Sequence, residues 1–270
     1  MELSFSINYP LCFRLVLWAA FMENSCCVIG DRIKVLAMAD LPYELILFDV
    51  DHTLLDFEAS EENALEICWE EYFRQAVDFG TYAAAFRKIN LGIWHEVEAG
   101  KLKPVHVSQE RARRVLRHFG LRGGDAAKLG RRFAEGLAAV AKWLPGAETT
   151  FRTLAKRYKV GLVTNGLTTV QHPRADALEI KPLLSTFQIS EEAGIMKPRI
   201  GIFEKALKEA GCSADKTLMV GDSVRSDFQG AINAEIDFCW VRPVHATMPF
   251  QFPKPAYGIE SVEELNALLP

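Results

Sequence analysis

Residues 44–55 read E-L-I-L-F-D-V-D-H-T-L-L, and this stretch decides the fold. Its first five residues form a short apolar run that is typical of a buried strand in a parallel sheet. Similar apolar runs recur along the chain at 160–163, 187–189, 217–220 and 238–241. Helical patterns separate the later runs, at 147–157, 175–184, 200–210 and 227–234. Strands that alternate with helices predict an α/β fold with a doubly wound, Rossmann-like parallel sheet.

A long insertion separates the first predicted strand from the second, and its apolar residues recur at helical spacing. Ser60 is the predicted N-cap of its first helix. The insertion is too long for a loop, so we expect a small all-helical domain. The predicted organisation is therefore a leader or upstream extension at 1–40, an α/β core at 41–56 and 145–270, and the helical domain at 57–144.

The composition excludes several classes of protein. Hydrophobic residues make up 49% of the 270-residue chain and charged residues 24%, which is typical of a globular protein and not of a disordered, fibrous or multi-span membrane protein. The net charge of −4 argues against binding to a nucleic-acid polymer, since phosphate binding needs a basic field. We interpret the basic cluster of the insertion as a solvated helix face formed by Arg111, Arg113, Arg114 and Arg117.

The cysteines and the first 40 residues bear on localisation. The six cysteines include no C-x-x-C pair, which argues against a zinc site or a disulfide framework and favours a reducing, cytoplasmic compartment. The apolar run at 11–22 and the A-M-A tripeptide at 37–39 resemble a signal sequence with its cleavage site. Arg14 interrupts that run and Glu2 replaces the usual positive start, so we favour an upstream extension, with translation starting at Met38.

Polar residues follow the predicted strands, and ligands of open α/β sheets bind at the carboxyl ends of strands. The residues at these ends are Asp49 and Asp51 after the first strand, Thr164, Asn165 and Gly166 after the second, Lys197 and Pro198 after the third, and Asp222 and Ser223 after the fourth, with Asp227 soon after. Their occurrence at successive strand ends predicts one site along a single edge of the sheet.

The residue types at this edge indicate phosphoryl chemistry. Asp49 and Asp51 are one residue apart in extended chain, so we expect both side chains on the same face. With Asp222 they form a cluster of hard oxygen ligands whose mutual repulsion calls for Mg²⁺. Thr164 and Asn165 offer hydrogen-bonding groups for phosphoryl oxygens, and a lysine supplies positive charge where negative charge develops. The set suits phosphoryl transfer to a carboxylate.

These residues resemble the four motifs of the haloacid-dehalogenase-like (HAD) superfamily, and the resemblance covers residues 41–270. The motifs are D-V-D-H-T-L-L (49–55), T-N-G (164–166), K-P (197–198) and G-D-S-V-R-S-D (221–227). The insertion resembles the cap of the phosphoglycolate-phosphatase-like branch. A narrower resemblance, to the bacterial pyrimidine 5′-nucleotidases that also remove noncanonical nucleotides, rests on I-S-E-E-A-G-I-M-K-P (189–198), N-L-G-I-W (90–94) and G-A-I-N-A (230–234).

The resemblance implies a role for each residue of the four motifs. Asp49 is the implied nucleophile, and Asp51 is the implied acid and base. The implied Mg²⁺ ligands are the Asp49 carboxylate, the Asp51 main-chain carbonyl and the Asp222 carboxylate. The groups implied to bind the transferring phosphoryl group are Thr164, Asn165, Gly166 and Lys197. Asp227 and Ser223 are expected beside them; Asp227 either orients Lys197 or a metal-bound water, or caps the following helix.

Substrate choice is expected to come from the helical insertion. Trp94 is our candidate for stacking on a base and His95 for a polar contact, although a tryptophan at helical spacing is also typical of packing. The favoured substrate is a nucleoside 5′-monophosphate with a pyrimidine base, acted on by a monomer or homodimer. The alternatives are a phosphatase for phosphoglycolate or a sugar phosphate, a 2-haloacid dehalogenase, and a non-catalytic binding module. Asp51 and Asp222 argue against the dehalogenase, which needs neither the second aspartate nor a metal.

Two positions depart from the family pattern in the scaffold. Pro173 falls where the helix after T-N-G is normally continuous, so we predict that this helix begins near it. Glu235 stands where the family usually has glycine; if this position needs a left-handed backbone, glutamate costs about 1 kcal/mol there.

Overall fold

The computed structural model describes residues 26–29, 32–35, 42–121, 123–243 and 246–269. In the first part of the chain, two strands form an antiparallel pair, β1 (Cys26–Ile29) and β2 (Arg32–Val35). Met38 and the apolar run at 11–22 lie outside the described residues, so the leader hypotheses stay predictions. Residues Tyr43–Asn266 form a compact unit by themselves. Within the part of the chain that the structure describes, no helix has the length and apolar character needed to cross a membrane.

The compact unit contains a six-stranded, wholly parallel sheet, which confirms the predicted fold class. The strands are β3 (Leu45–Phe48), β4 (Lys159–Thr164), β5 (Leu184–Ile189), β6 (Thr217–Gly221), β7 (Asp237–Val241) and β8 (Tyr257–Ile259). Their order is β5-β4-β3-β6-β7-β8. After β3, the strands β4 and β5 are added on one side of it. The chain then crosses to the other side, where β6, β7 and β8 follow. The reversal between β3 and β6 is where ligands bind in doubly wound sheets.

Helices cover the sheet and form the insertion. The α-helices of the described residues are α1 (Phe57–Cys68), α2 (Phe79–Glu98), α3 (Val107–His118), α4 (Ala126–Ala138), α5 (Ala147–Leu154), α6 (Thr168–Ala177), α7 (Ser190–Ala193), α8 (Ile200–Ala210), α9 (Gln229–Asn233) and α10 (Leu265–Leu268). On one face of the sheet, the central-strand residues Leu45 and Leu47 belong to a buried core with Phe203 of α8. Burial of these apolar side chains holds the helix layer on the sheet.

The helices α1 to α4 of the insertion between β3 and β4 share an apolar core, built from residues such as Leu65, Phe86 and Phe133, which Leu167 and Val170 at the start of α6 join. Helices α1 and α4 cross closely, because a Cβ on Gly136 would lie 2.6 Å from the Ala64 Cα. The observed helices agree with the predicted helical character of 57–144. The predicted domain bounds themselves stay a prediction.

The two chain segments at the base of the insertion run side by side. Leu55 and Trp143 form an antiparallel bridge. The Asp56 N–H donates to the Lys142 carbonyl at 2.8 Å, and the Lys142 ammonium pairs with the Asp56 carboxylate at 2.8 Å. The segment that leaves the sheet is therefore paired directly with the segment that returns to it.

The structure bears on three local expectations: a helix N-cap, the start of a helix and a left-handed residue. The N-cap of α1 is Asp56, whose side chain accepts from the Ala59 N–H at 3.0 Å, so the prediction of Ser60 was wrong. Ser60 is buried inside the helix and donates to the Val140 carbonyl at 2.9 Å. The prediction for Pro173 was also wrong, because α6 begins five residues earlier and buried neighbours hold it despite the missing N–H. Glu235 has φ 55°, so the condition of a left-handed backbone is met at this position.

Candidate active site

The strand order brings two predicted site residues together at its reversal. Asp49 directly follows β3 and Asp222 directly follows β6, which is the neighbouring strand. Asp49, Asp222 and Asp227 each offer a carboxylate oxygen, and these three oxygens lie within 4.8 Å of one another. The Thr53 hydroxyl donates to Asp222 at 3.3 Å. The carboxyl edge of the sheet thus concentrates negative charge at one point.

Lys197 lies inside this carboxylate cluster. Its ammonium contacts Asp49 Oδ1 at 2.5 Å and Asp227 Oδ1 at 2.7 Å, and its side chain is only 1% exposed. Burial alone would lower the pKa of Lys197, but the two carboxylates outweigh burial and raise it above its usual value. Lys197 is therefore held as a cation beside the Asp49 carboxylate.

The carboxylates carry more negative charge than one lysine neutralises. Burial raises the pKa of Asp49 well above its usual value; Lys197 opposes this, and Asp227 and Asp222 add to it. Burial, and then the neighbouring Asp227 carboxylate, raise the pKa of Asp222 to about 6. Both carboxylates are thus disfavoured in the charged form, which a bound cation would reverse. This set of hard oxygen donors fits Mg²⁺.

Asp227 supports Lys197 from behind. It is completely buried, and its second carboxylate oxygen accepts from the Ser223 N–H at 3.0 Å. The Ser223 hydroxyl accepts from the Ser226 N–H at 3.2 Å, so Ser223 caps the helical turn Val224–Phe228. Gly221 permits this packing, because a Cβ there would lie 2.3 Å from Asp227 Oδ2. Of the two predicted placements of Asp227, the structure shows the contact with Lys197.

The T-N-G motif (164–166) also contacts the main chain of Lys197. The Asn165 side chain donates to the Lys197 carbonyl at 3.0 Å and accepts from the Lys197 N–H at 2.8 Å. The Gly166 N–H donates to Ser190 Oγ at 3.1 Å. Thr164 is buried at the end of β4. The two Asn165 contacts fix the main chain of Lys197. The predicted contacts of Asn165 and Gly166 with a phosphoryl group stay a prediction.

The Asp51 side chain is held by two residues that the sequence reasoning missed. Arg174 donates from Nη1 to Asp51 Oδ1 at 2.6 Å, and Gln171 donates from Nε2 to Asp51 Oδ2 at 2.9 Å. The Arg174 guanidinium also donates from Nε to the Leu137 carbonyl of the insertion at 3.2 Å. Gln171 and Arg174 are three residues apart and share a face of α6, the helix that follows T-N-G. That spacing was the available signal.

A cavity of about 240 Å³ opens beside Asp51. Its polar lining from the sheet side is Asp51, His52, Asn165, Gly166, Gln171 and Arg174, and from the insertion Asn90, Trp94 and Arg111. Trp94 lines this cavity, whereas His95 is exposed and does not; the stacking role of Trp94 stays a prediction. The interpretation of Arg111 as solvated was wrong, because its side chain turns into the helical core and is 3% exposed.

Residues 43–235 match the family model of the haloacid dehalogenase-like hydrolases. The chain belongs to this family, as its motifs predicted, and it is an enzyme of the hydrolase class. It is 34% identical over 225 residues to pyrimidine 5′-nucleotidase PynA of Streptococcus pneumoniae, covering 83% of this chain and 93% of the relative. It is 29% identical over 232 residues to pyrimidine 5′-nucleotidase YjjG of Escherichia coli, covering 85% and 99%.

A solved structure of similar fold is that of the HAD-hydrolase YfnB of Bacillus subtilis bound to magnesium. Its TM-score with this chain is 0.75 at 30% sequence identity, and the match covers 84% of this chain and 98% of the other.

Proposed function

We propose that this chain is a Mg²⁺-dependent phosphatase that releases phosphate from nucleoside 5′-monophosphates, preferentially those with a pyrimidine base. The observation that carries the proposal is the buried Asp49 carboxylate, which meets Lys197 at 2.5 Å beside Asp222. A nucleophile, a cation and a second carboxylate are thus present at one strand edge. The similarity to two relatives named pyrimidine 5′-nucleotidases supports the choice of substrate.

The metal would be held by the carboxylates of Asp49 and Asp222 together with the main-chain carbonyl of Asp51. When bound, Mg²⁺ supplies positive charge to the phosphoryl oxygens and offsets the repulsion between the two carboxylates. Asp227 is committed to Lys197 and to the Ser223 N–H, so we assign it a supporting role.

Asp49 and Asp51 divide the covalent chemistry. An Asp49 oxygen attacks phosphorus while the ester P–O bond breaks, and Asp51 gives a proton to the departing oxygen. Asp51 then takes a proton from the water that attacks the phosphorus of the aspartyl phosphate, and the bond to Asp49 breaks. Lys197 balances the charge on the transferring phosphoryl group, with Thr164, Asn165 and Gly166 as its further proposed contacts.

The cavity beside Asp51 suits the leaving group. Its volume is about 240 Å³, equal to about eight times the ~30 Å³ share of one water in the liquid. This space is large enough for a small planar group. The rings of Trp94 and Phe57 in its lining favour a base over phosphoglycolate or a sugar phosphate, which are the competing substrates.

The remaining predictions complete the proposal. The helices of 57–144 form a cap over a core made by 41–56 and 145–270, and residues 1–40 are an upstream extension. We place the enzyme in the cytoplasm as a monomer or homodimer, acting on free metabolites.

The proposal is tested by phosphate release in the presence of Mg²⁺. The substrates are UMP, dUMP, dTMP, phosphoglycolate and a set of sugar phosphates, each with and without EDTA. We expect the highest kcat/KM for the pyrimidine nucleotides and loss of activity with EDTA that returns when Mg²⁺ is added. Activity that survives EDTA would contradict the metal assignment, and a preference for phosphoglycolate or a sugar would contradict the substrate.

A further inference from the structure

Arg111 is a buried cation inside the helical insertion. Its side chain lies on α3, is 3% exposed, and donates from Nη1 to Asn90 Oδ1 at 3.0 Å. Among the described residues, neither a carboxylate ion pair for Arg111 nor a hydrogen-bond partner for its Nη2 is found. Burial lowers the pKa of the guanidinium to about 10. A buried charge without a carboxylate partner destabilises the fold, so it calls for another explanation.

Aromatic rings hold the Arg111 guanidinium in place. Its central carbon lies 4.3 Å from the centroid of the Phe133 ring and 5.6 Å from that of Phe86. Such contacts favour the cation and do not use its N–H groups as hydrogen-bond donors. Among the described residues, Nη2 is therefore a buried donor that the protein does not satisfy.

A second arginine on α3 has the ion pairs that Arg111 lacks. Arg114, three residues after Arg111, pairs with Glu96 at 2.7 Å and with Glu110 at 2.6 Å, and its side chain is 31% exposed. Arg111 has instead a neutral amide oxygen and an open cavity. Asn90 and Trp94, four residues apart on α2, line that cavity with Arg111.

We propose that Arg111, which lines the cavity, is a specificity-determining residue whose guanidinium donates to a neutral oxygen acceptor on the non-phosphate part of the substrate. The inference rests on the proposed function, which places the phosphoryl group at Asp49 and the leaving group in the cavity next to Asp51. The acceptor is neutral because the rest of the insertion-side lining is aromatic, apolar or amide, as in Trp94 and Asn90. A ring carbonyl oxygen of a nucleobase has this chemistry.

The test compares two substrates that differ in this acceptor. dUMP carries ring carbonyl oxygens, and phenyl phosphate has an aromatic ring without one. We expect Arg111→Met to lower kcat/KM for dUMP by about 10-fold or more, as loss of a hydrogen bond to a charged donor requires, and that for phenyl phosphate by less than about 3-fold. Arg111→Lys keeps the charge, loses the guanidinium fork and should show the same selectivity.

Thermal unfolding separates binding from packing. Because Arg111→Met removes an unpaired buried charge, its Tm should equal or exceed that of the wild type. Arg114→Met is the matched control on the same helix: it should lose stability without changing the ratio of kcat/KM between the two substrates. If Arg111→Met does not fold, Arg111→Lys provides the same ratio.

Each outcome discriminates. If the wild type hydrolyses dUMP and Arg111→Met leaves the ratio of kcat/KM between dUMP and phenyl phosphate unchanged, the role of Arg111 is overturned and the proposed function stands. A variant that loses phosphoglycolate hydrolysis but keeps dUMP hydrolysis would show an anionic acceptor and overturn the neutral one. A wild-type enzyme active on phenyl phosphate but inactive on dUMP would overturn the proposed substrate, and the assignment of Arg111 with it.

Discussion

Replacing Arg174 by methionine tests how the proposed acid is held. The Arg174 side chain is 1% exposed and donates from Nη1 to Asp51 Oδ1 at 2.6 Å. Methionine keeps much of the buried volume and removes this contact, while Gln171 still donates to the other Asp51 oxygen at 2.9 Å. The Asp51 carboxylate then keeps one of its two side-chain hydrogen bonds, so its orientation is less firmly fixed.

The size of the effect follows from these contacts. A hydrogen bond to a charged group contributes about 1.5–3 kcal/mol, which corresponds to a fall in kcat of about 10-fold to 150-fold if Asp51 is misplaced in the transition state. Breaking a buried ion pair usually costs about 3–5 kcal/mol of stability. The Asp51 side chain is 22% exposed and can be rehydrated, so we expect a smaller loss in the free energy of unfolding, about 1–2 kcal/mol.

The assay measures kcat and KM separately for dUMP and for p-nitrophenyl phosphate. The p-nitrophenolate group departs with less need of a proton, so a defect in Asp51 should lower kcat less for this ester. KM should change little, and Arg174→Lys should recover part of kcat. Arg74→Met is the control, because Arg74 is exposed, pairs with Glu70 at 2.9 Å and does not line the cavity beside Asp51.

Two results would refute this reasoning. An unchanged kcat in Arg174→Met would show that Asp51 needs no arginine to be positioned. A rise in KM for dUMP at constant kcat would show that Arg174 binds the substrate and does not position the acid.

Three further substitutions test the site. Asp49→Asn should lower turnover at least ~10⁴-fold with an unchanged or higher Tm, because the nucleophilic oxygen is lost while Lys197 keeps Asp227 at 2.7 Å; phosphate release and thermal unfolding measure the two effects. Asp51→Asn should slow both ester cleavage and hydrolysis of the aspartyl phosphate, which rapid-quench kinetics resolve. Gly221→Ala should lower kcat, because the added Cβ would meet the Asp227 carboxylate at 2.3 Å and displace the support of Lys197.

Each of these substitutions has an outcome against it. Near-wild-type turnover in Asp49→Asn would overturn the nucleophile, and unchanged rates for both steps in Asp51→Asn would remove its role. Gly258→Ala is the control for Gly221→Ala, since a Cβ at Gly258 meets nothing within 4 Å. Equal activity in the two glycine variants would contradict the support of Lys197 through Asp227.

The parallel sheet was predictable because its strands are buried and therefore continuously apolar. The predicted runs at 44–48 and 217–220 coincide with β3 and β6, and the strand ends supplied Asp49 and Asp222. Strand β8 was missed because its three residues, Y-G-I, are too short to show a pattern. A strand at the edge of the sheet needs fewer apolar residues.

The contacts of Arg111 and Arg174 could not be predicted from the sequence, because they depend on which side of each helix is buried. Composition alone could not distinguish Arg111 from the arginines around it, since four of them stand close together in the sequence. Burial separates Arg111 from Arg114, and burial follows from the rotation of α3 about its axis. Arg174 was missed for a similar reason, because its contact with Asp51 spans 123 positions.

The paired segments at Asp56 and Lys142 have an evolutionary consequence. Because the two segments pair at 2.8 Å at the base of the insertion, the contacts of Lys197 with Asp49 and Asp227 and the cluster that these two form with Asp222 involve none of the 85 residues between these two positions. A gene could lengthen, exchange or lose that segment as a cassette while the carboxylates and the lysine keep their places. Selection can thus diversify the molecules admitted to the cavity and leave the reaction untouched.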